Sequence, residues 1–289
     1  MTSLLMKLLI VIAGRSLLYR AGRALYFFAR SETPNDMRQN GEFLIQRCVL
    51  EAWKKQNAPK DRLVVFDVGA NIGDWSASFL GLLSEAKISD AVDLYAFEPV
   101  PSTADILRKN LGEQHDCLHY ELTALSSESG VASIFVGDGL GINSLHENSY
   151  MRSREVQVAI TKASTVDFCK NRKIQKIHLL KCDTEGHDME VIRGAMPLLQ
   201  GENISVLQFE YNHRWIISRN FLRDAFVAIE GSPYVLVKLQ ASHLLVLPEW
   251  HPELERFIDG NYALVLKSAL VWFPTKTVAW DRSNAMAIN

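Results

Sequence analysis

The stretch Val64-Val65-Phe66-Asp67-Val68-Gly69-Ala70-Asn71-Ile72-Gly73 decides how the rest of the chain is read. An apolar run ends in an acid, and a loop with two glycines follows. Trp75, Phe79, Leu82 and Leu83 then recur at helical spacing. The pattern predicts a buried strand, a tight turn and a helix. A glycine turn at a helix N-terminus is a common place for an α/β sheet to receive a nucleotide-like ligand. The glycines let the backbone approach the ligand with no Cβ in the way. The dinucleotide fingerprint would need glycines at 68 and 70, where Val68 and Ala70 stand.

Here the acid precedes the glycines. A carboxylate at a strand's end suits a ligand with a positive group nearby, and S-adenosylmethionine carries both a sulfonium and an amino group. The plainer alternative is a glycine turn in which Asp67 satisfies loop amides. A second acid favours the ligand. Ala91 to Phe97 predicts another strand, which Glu98-Pro99 ends. Glu98 lies 25 residues beyond Gly73, the distance at which a βαβ unit sets an acid on a ribose. One carboxylate can accept bonds from both ribose hydroxyls.

Further along, Ile177 to Cys182 predicts a buried strand that delivers Asp183-Thr184-Glu185-Gly186-His187. Met189, Ile192, Ala195, Met196 and Leu199 mark the helix after it. Ligands in open α/β sheets sit beyond the carboxyl ends of the strands, so Asp183 should share a cleft with Asp67 and Glu98. Capping the next helix together with Thr184 is its alternative role, and the two are compatible. Ile204 to Phe209 predicts a strand ending in Glu210-Tyr211-Asn212-His213, which adds acid and base groups to the same rim. A lone histidine is more often a surface or core residue than a catalyst.

The remaining chain frames this site. Residues 1–31 hold Lys7 and four arginines but no acid, and Leu4 to Ala13 is apolar except for Lys7. That run is too short to span a bilayer and lacks the cleavage site of a signal peptide. From Arg15 to Arg30 the arginines share one helical arc. Residues 1–30 therefore read either as a basic amphipathic helix on an anionic membrane or as a helix packed on the domain or on a second subunit. The expected organisation is helix and linker over 1–40, one α/β domain over 41–267 and a tail over 268–289. Within the domain, helices are expected at 42–55, 102–111, 164–171 and 221–229. Shorter strands are expected at 117–122, 131–136, 234–239, 244–247 and 262–266, with a turn at Ser127 to Gly130. Val156 to Ile160 reads as an edge strand, and 137–145 as a glycine-rich loop near the site. The formal charge of −2 gives no sign of nucleic acid as a partner. The four cysteines are widely spaced with no C-x-x-C pair, as in the reduced thiols of a cytoplasmic protein. The sequence sets no oligomeric state.

Taken together the motifs resemble the FkbM-type S-adenosylmethionine-dependent methyltransferases. The resemblance rests on Val65 to Gly73, on Ala96-Phe97-Glu98-Pro99, on Thr165-Val166-Asp167, and on the block from Leu180 to Ala195, which is the specific one. It covers roughly residues 42–266. It implies a Rossmann-like class I methyltransferase fold, α/β, with a mostly parallel seven-strand sheet and helices on both faces. It implies that Asp67, Gly69, Asn71 and Gly73 hold the methionine part of the cofactor and Glu98 its ribose. It also implies O-methylation of a sugar, glycan or natural-product hydroxyl. The family often has alanine where His187 stands, so that residue carries nothing over.

A sugar hydroxyl is a poor nucleophile until its proton is leaving. Asp183 is the first candidate for base or orienter, with Glu210 and His213 next and Glu185 behind them. Asp183 with Glu185 or Glu210 could instead bind Mg²⁺, although no metal-ligand spacing here is diagnostic. Two other readings stand beside this one. The first is a membrane-associated binding protein that keeps the fold without activity. The second is an NAD-dependent oxidoreductase, which the glycine pattern disfavours.

Overall fold

The computed structural model describes residues 2–56, 62–112, 115–136, 143–144 and 156–289. The proline stop around Pro59 lies outside the described residues, and so does most of the glycine-rich loop over 137–145. Residues 1–34 form one compact unit and 35–289 a second. In the first, α1 (Thr2–Ala29) kinks at Gly14, whose φ of 74° and ψ of 152° are not helical. Beyond the kink, Arg15, Arg20 and Arg23 are exposed, and so are Leu17, Leu25 and Phe28. The helical period sets these arginines on one side and the three apolar residues on the other. No helix among the described residues is long and apolar enough to cross a membrane.

The second unit begins with α2 (Glu42–Gln56), which buries Ile45, Val49, Ala52 and Trp53 at the expected spacing. Strand and helix then alternate through β1 (Leu63–Val68), α3 (Asp74–Ala86), β2 (Val92–Phe97), α4 (Pro101–Leu111) and β3 (Leu118–Glu121). Four short strands follow: β4 (Ala124–Ser126), β5 (Gly130–Val136), β6 (Asn143–Ser144) and β7 (Val156–Ser164). Next come α5 (Thr165–Arg172), β8 (Ile177–Cys182), α6 (Asp188–Gln200), β9 (Ile204–Tyr211) and α7 (Leu222–Ala228). Strands β10 (Tyr234–Leu239), β11 (Leu244–Leu247), β12 (Gly260–Leu266), β13 (Thr275–Trp280) and β14 (Met286–Ile288) close the chain.

Among the described residues the main sheet has ten strands, in the order β14-β13-β11-β10-β12-β9-β8-β1-β2-β3. The stretch from β10 to β3 is the expected Rossmann-like sheet. β3, β2, β1, β8 and β9 run parallel, and β12 is antiparallel to both of its neighbours. The expected count of seven strands is too low, because β11, β13 and β14 continue the sheet past β10. Residues 268–289, read from sequence as a tail, supply β13 parallel to β11 and β14 antiparallel to β13. Only Val278 of β13 is fully buried, so its apolar pattern is too thin to announce a strand. A second sheet runs β4-β7-β5-β6. There β7 pairs with β5 over Val156–Lys162 and with β4 only through Lys162–Ser164, so Val156–Ile160 has one partner among the described residues, as the edge-strand reading expected. The turn expected at Ser127 to Gly130 does join two strands, β4 and β5, but they flank β7 rather than pairing with each other.

The central strands are covered on both faces, which is why they read as mostly apolar runs. Phe66 sits in an aromatic cluster, with ring centroids 5.1 Å from Phe97, 5.3 Å from Tyr95 and 5.6 Å from Phe168. Each such pair contributes about 0.5–1.5 kcal/mol beyond its buried area. The register of these strands sets the site. Val68 is level with Phe97 and with Cys182, and Cys182 is level with Phe209. Gly69, Glu98, Asp183 and Glu210 therefore leave, or end, four neighbouring strands at one height.

Candidate functional site

A cavity opens at that rim. Gly69, Asn71, Glu98 and Pro99 line it, with Thr123, Ala124, Leu125 and Ile134 from the strand β4 region and β5. Asp183, Thr184, Glu185 and His187 complete the wall. Of the five cofactor residues named from sequence, the fold brings Gly69, Asn71 and Glu98 to the cavity. The amides of Gly69 and Ala70 donate to the Phe97 carbonyl at 3.1 and 2.9 Å, which folds the loop back over β2. Gly69 has φ 75°, and a Cβ there would meet the Asp183 carbonyl oxygen at 2.0 Å. Gly73 does not line the cavity. A Cβ on it would sit 2.8 Å from Leu107 Cδ1, so this glycine lets α3 start against α4.

Glu98 accepts the Asn71 amide on Oε2 at 3.1 Å and the Val100 amide on Oε1 at 3.0 Å. A carboxylate has about four acceptor sites, so each oxygen keeps one for a ligand hydroxyl. Asn71 Oδ1 is buried without a hydrogen-bond partner among the described residues. An orphaned acceptor beside a carboxylate with spare acceptor sites fits a ligand rich in N–H and O–H donors, as S-adenosylmethionine is. Burial lifts the Glu98 carboxyl to about 7, against the pull of the Val100 and Asn71 amides.

Asp67 is placed differently from a ligand-facing acid. It is fully buried and absent from the cavity wall. Ser76 Oγ donates to its Oδ2 at 2.6 Å, and Lys181 Nζ lies 3.0 Å from Oδ1. Its neighbours in the register are Ala96 and Lys181, so its carboxylate meets the lysine of β8 inside the fold. Burial alone would lower the Lys181 pKa, but Asp67, Asp183 and Glu42 together hold it above the usual lysine range. Glu42, at the start of α2, accepts Asn40 Nδ2 and Gln208 Nε2, both at 2.9 Å. Burial raises its carboxyl, with Lys181 pulling the other way.

The carboxylate of Asp183 is half-exposed beside the cavity, 3.8 Å from Lys181 Nζ. It does not cap α6. Asp188, the first residue of α6, instead ties the loop before the helix, accepting the amides of Thr184 at 3.3 Å and Gly186 at 3.2 Å. Burial and then the charge of Asp183 raise the Asp188 carboxyl to about 7. Glu210 is near Asp183: oxygens of Asp183, Glu185 and Glu210 lie within 4.8 Å of one another. Burial first, then Asp183, Asp188, Asp259 and Glu42, push the Glu210 carboxyl well above its ordinary value. Arg214 pairs with Glu185. His213 is not part of the cavity wall. Its side chain is 65% exposed, with Nδ1 3.8 Å from Asp259.

Sequence reasoning missed three residues here: Lys181, Glu42 and His187. Lys181 carried a usable signal, since a lysine inside an otherwise apolar strand needs a buried partner. Glu42 gave none, because nothing local tells that the start of its helix reaches the sheet. His187 lines the cavity, and its Nε2 is 3.0 Å from Ser126 Oγ, which joins α6 to β4.

Comparison with known proteins places the chain. The hexuronic acid methyltransferase AglP of Haloferax volcanii is 29% identical over 168 residues, covering 58% of this chain and 62% of AglP. The chain thus spans less than two thirds of that relative. Among solved structures, the CurJ carbon methyltransferase aligns with a TM-score of 0.43 at 9% identity, over 89% of this chain and 60% of that one. The N-terminal domain of human METTL16, in complex with SAH, aligns at 0.38 and 11% identity, over 77% of this chain and 67% of that one. At these scores structural likeness carries no weight, and the assignment rests on sequence. Residues 67–235, which run from the buried acid of the glycine loop past Asp183 and Glu210, match the methyltransferase FkbM domain, and the chain belongs to that family.

Proposed function

We propose that this chain is an S-adenosylmethionine-dependent O-methyltransferase that acts on a hydroxyl of a sugar, glycan or related natural product. One observation carries the reading: a single cavity joins Glu98 and Asn71 to a half-exposed acid, Asp183. S-adenosylmethionine, when bound, supplies a methyl group activated on sulfur. Glu98 accepts hydrogen bonds from its ribose. Asp183 takes the proton that the acceptor hydroxyl loses as it becomes a nucleophile. The Haloferax relative is named for a hexuronic acid, so a sugar acid is the first acceptor to offer. Such a molecule has two kinds of oxygen. Its carboxylate is already a nucleophile and needs no base, whereas its hydroxyls need one, and an acid beside the cavity supports the hydroxyl. The test is methyl transfer from labelled S-adenosylmethionine to hexuronic acid glycosides, with mass analysis before and after mild alkali. An alkali-stable ether is expected. An alkali-labile ester would move the reaction to the carboxylate. No transfer to any sugar, with cofactor bound, would leave a binding protein.

Glu98 makes cofactor affinity depend on pH. Its carboxyl is raised to about 7 by burial, and ribose hydroxyls donate to the ionised form. Binding therefore favours loss of the proton. Affinity is full above about pH 7 and is lost as pH falls through that value. Going from about pH 8 to about pH 6, the Kd for S-adenosylhomocysteine is expected to rise about tenfold. Calorimetry in two buffers should show proton release on binding near the lower pH. A flat Kd would take Glu98 away from the ribose.

Mg²⁺ at Asp183, Glu185 and Glu210 is a second reading, favoured by the closeness of their oxygens. A divalent cation would acidify the acceptor hydroxyl directly. Turnover undiminished by a chelator removes it. Residues 15–29 bear on where the enzyme works. Arginines on one side and Leu17, Leu25 and Phe28 on the other support contact with an anionic membrane surface. Deleting residues 1–30 is then expected to move the protein from a membrane fraction to a soluble one. Unchanged fractionation would count against membrane contact.

A further inference from the structure

We propose that Lys181 is a positioning residue for methyl transfer: its ammonium fixes the Asp183 carboxylate relative to the cofactor loop. Its loss slows the reaction without weakening cofactor binding. The inference rests on the reading of Asp183 as the group that faces the acceptor.

Lys181 is 4% exposed and lies in the middle of the sheet, level with Asp67 on one side and Gln208 on the other. Its Nζ is 3.0 Å from Asp67 Oδ1 and 3.8 Å from Asp183 Oδ2. The same nitrogen donates to the Gly69 carbonyl at 3.2 Å. One ammonium thus touches the strand-end acid, the cofactor loop and the acid beyond it. A buried charge persists only when paired, and Asp67 supplies the close partner.

The cofactor loop has other supports. The Gly69 and Ala70 amides hold Phe97 O, the Gly73 amide donates to Ala70 O at 2.8 Å, and the Asn71 amide donates to Glu98 at 3.1 Å. The Asp183 backbone is also tied, its amide donating to Val68 O at 3.0 Å. Its carboxylate is not held in this way. The side chain is 41% exposed, and Lys181 is the cation within ion-pair distance of it among the described residues. The other charges that face it are Arg214, which pairs with Glu185, and the acids Glu42, Asp188 and Glu210. Ionised Glu42 and Asp188 repel Asp183, so without Lys181 its carboxylate loses the cation that holds it toward the cofactor loop. A shift of about 1 Å in a reacting group costs about 10²-fold in rate.

Lys181→Met alone leaves Asp67 buried without its cation, which is strongly destabilising. The double variant Lys181→Met with Asp67→Asn removes both charges and keeps the side-chain volumes, and both variants should be made. The measurements are the Kd for S-adenosylhomocysteine by calorimetry and kcat at saturating acceptor. For the double variant, Kd is expected within about threefold of wild type and kcat about 10²-fold lower. The proposal is overturned if kcat stays within about threefold of wild type, or if Kd worsens in step with kcat. In the second case Lys181 would merely build the cofactor site. Asp183→Asn in the same assay separates the two readings. If it turns over normally, both fall. If it is slow while the double variant is fast, the Lys181 proposal alone falls.

Discussion

Asp183→Asn is expected to lower kcat by about 10²- to 10⁴-fold while cofactor affinity stays near wild type. Asparagine keeps the shape of aspartate but cannot take up the acceptor's proton. Its backbone amide still reaches Val68 O, and the cavity wall around Glu98 is untouched. The neighbouring groups set the comparison. Glu210 is held well above the ordinary carboxylate range by burial and nearby acids, so it holds its proton over more of the neutral range. Glu210→Gln should then cost less than Asp183→Asn. His213 is exposed and faces Asp259 rather than the cavity, and His213→Ala should cost least. Single-turnover rates at saturating cofactor and acceptor measure the order. A normal rate in Asp183→Asn would take the acid out of the chemistry.

Gly69→Ala should cost both stability and cofactor binding. The backbone at Gly69 has φ 75°, where a residue with a Cβ is strained by about 1–2 kcal/mol. The new carbon would also meet Asp183 O at 2.0 Å and Asp183 C at 2.9 Å. Neither side can yield easily, because the Asp183 amide is bonded to Val68 O and the Gly69 amide to Phe97 O. Overpacking of this kind costs about 1–3 kcal/mol. The sum, on the order of 2–5 kcal/mol, is a large part of the stability of a typical domain. Gly231→Ala is the control. Gly231 has φ 71° but nothing within 4 Å of a Cβ, so it carries a positive φ without the clash. Denaturant unfolding of both variants, with S-adenosylhomocysteine titration of whatever remains folded, tests the argument. Equal losses at the two positions would mean that crowding against Asp183 is not the cause.

The parts of this fold that were legible in sequence are those that local chemistry dictates. Parallel strands covered on both faces are mostly apolar, so β1, β8 and β9 could be read directly, and the residues after them followed. Glu98 and Asp183 were found because each comes just after such a run. Pairing across the sheet was not legible. Asp67 stands next to Lys181 only because β1 and β8 are neighbours in a particular register, and neither stretch encodes the other's position. The sequence therefore showed a strand-end acid but not that its carboxylate points inward to a lysine. The strands of residues 268–289 were missed for another reason. Most of β13 is exposed, and its place comes from backbone bonding to β11 rather than from an apolar face. Sequence placed His213 at the rim, whereas the structure leaves it off the cavity wall. The short turn of helix at His213–Ile216 buries Trp215 instead and leaves His213 exposed.

The lengthened sheet also constrains how two copies of the chain could join. A long, flat outer strand invites another chain to pair with its free amides and carbonyls. Here the outermost strands among the described residues are β14, of three residues, and β3, of four. Each leaves room for only a few hydrogen bonds to an incoming strand. Edge-to-edge pairing at either end of the main sheet, as far as the described residues reach, would therefore gain little, and a partner there has to be held by side chains rather than by an added strand.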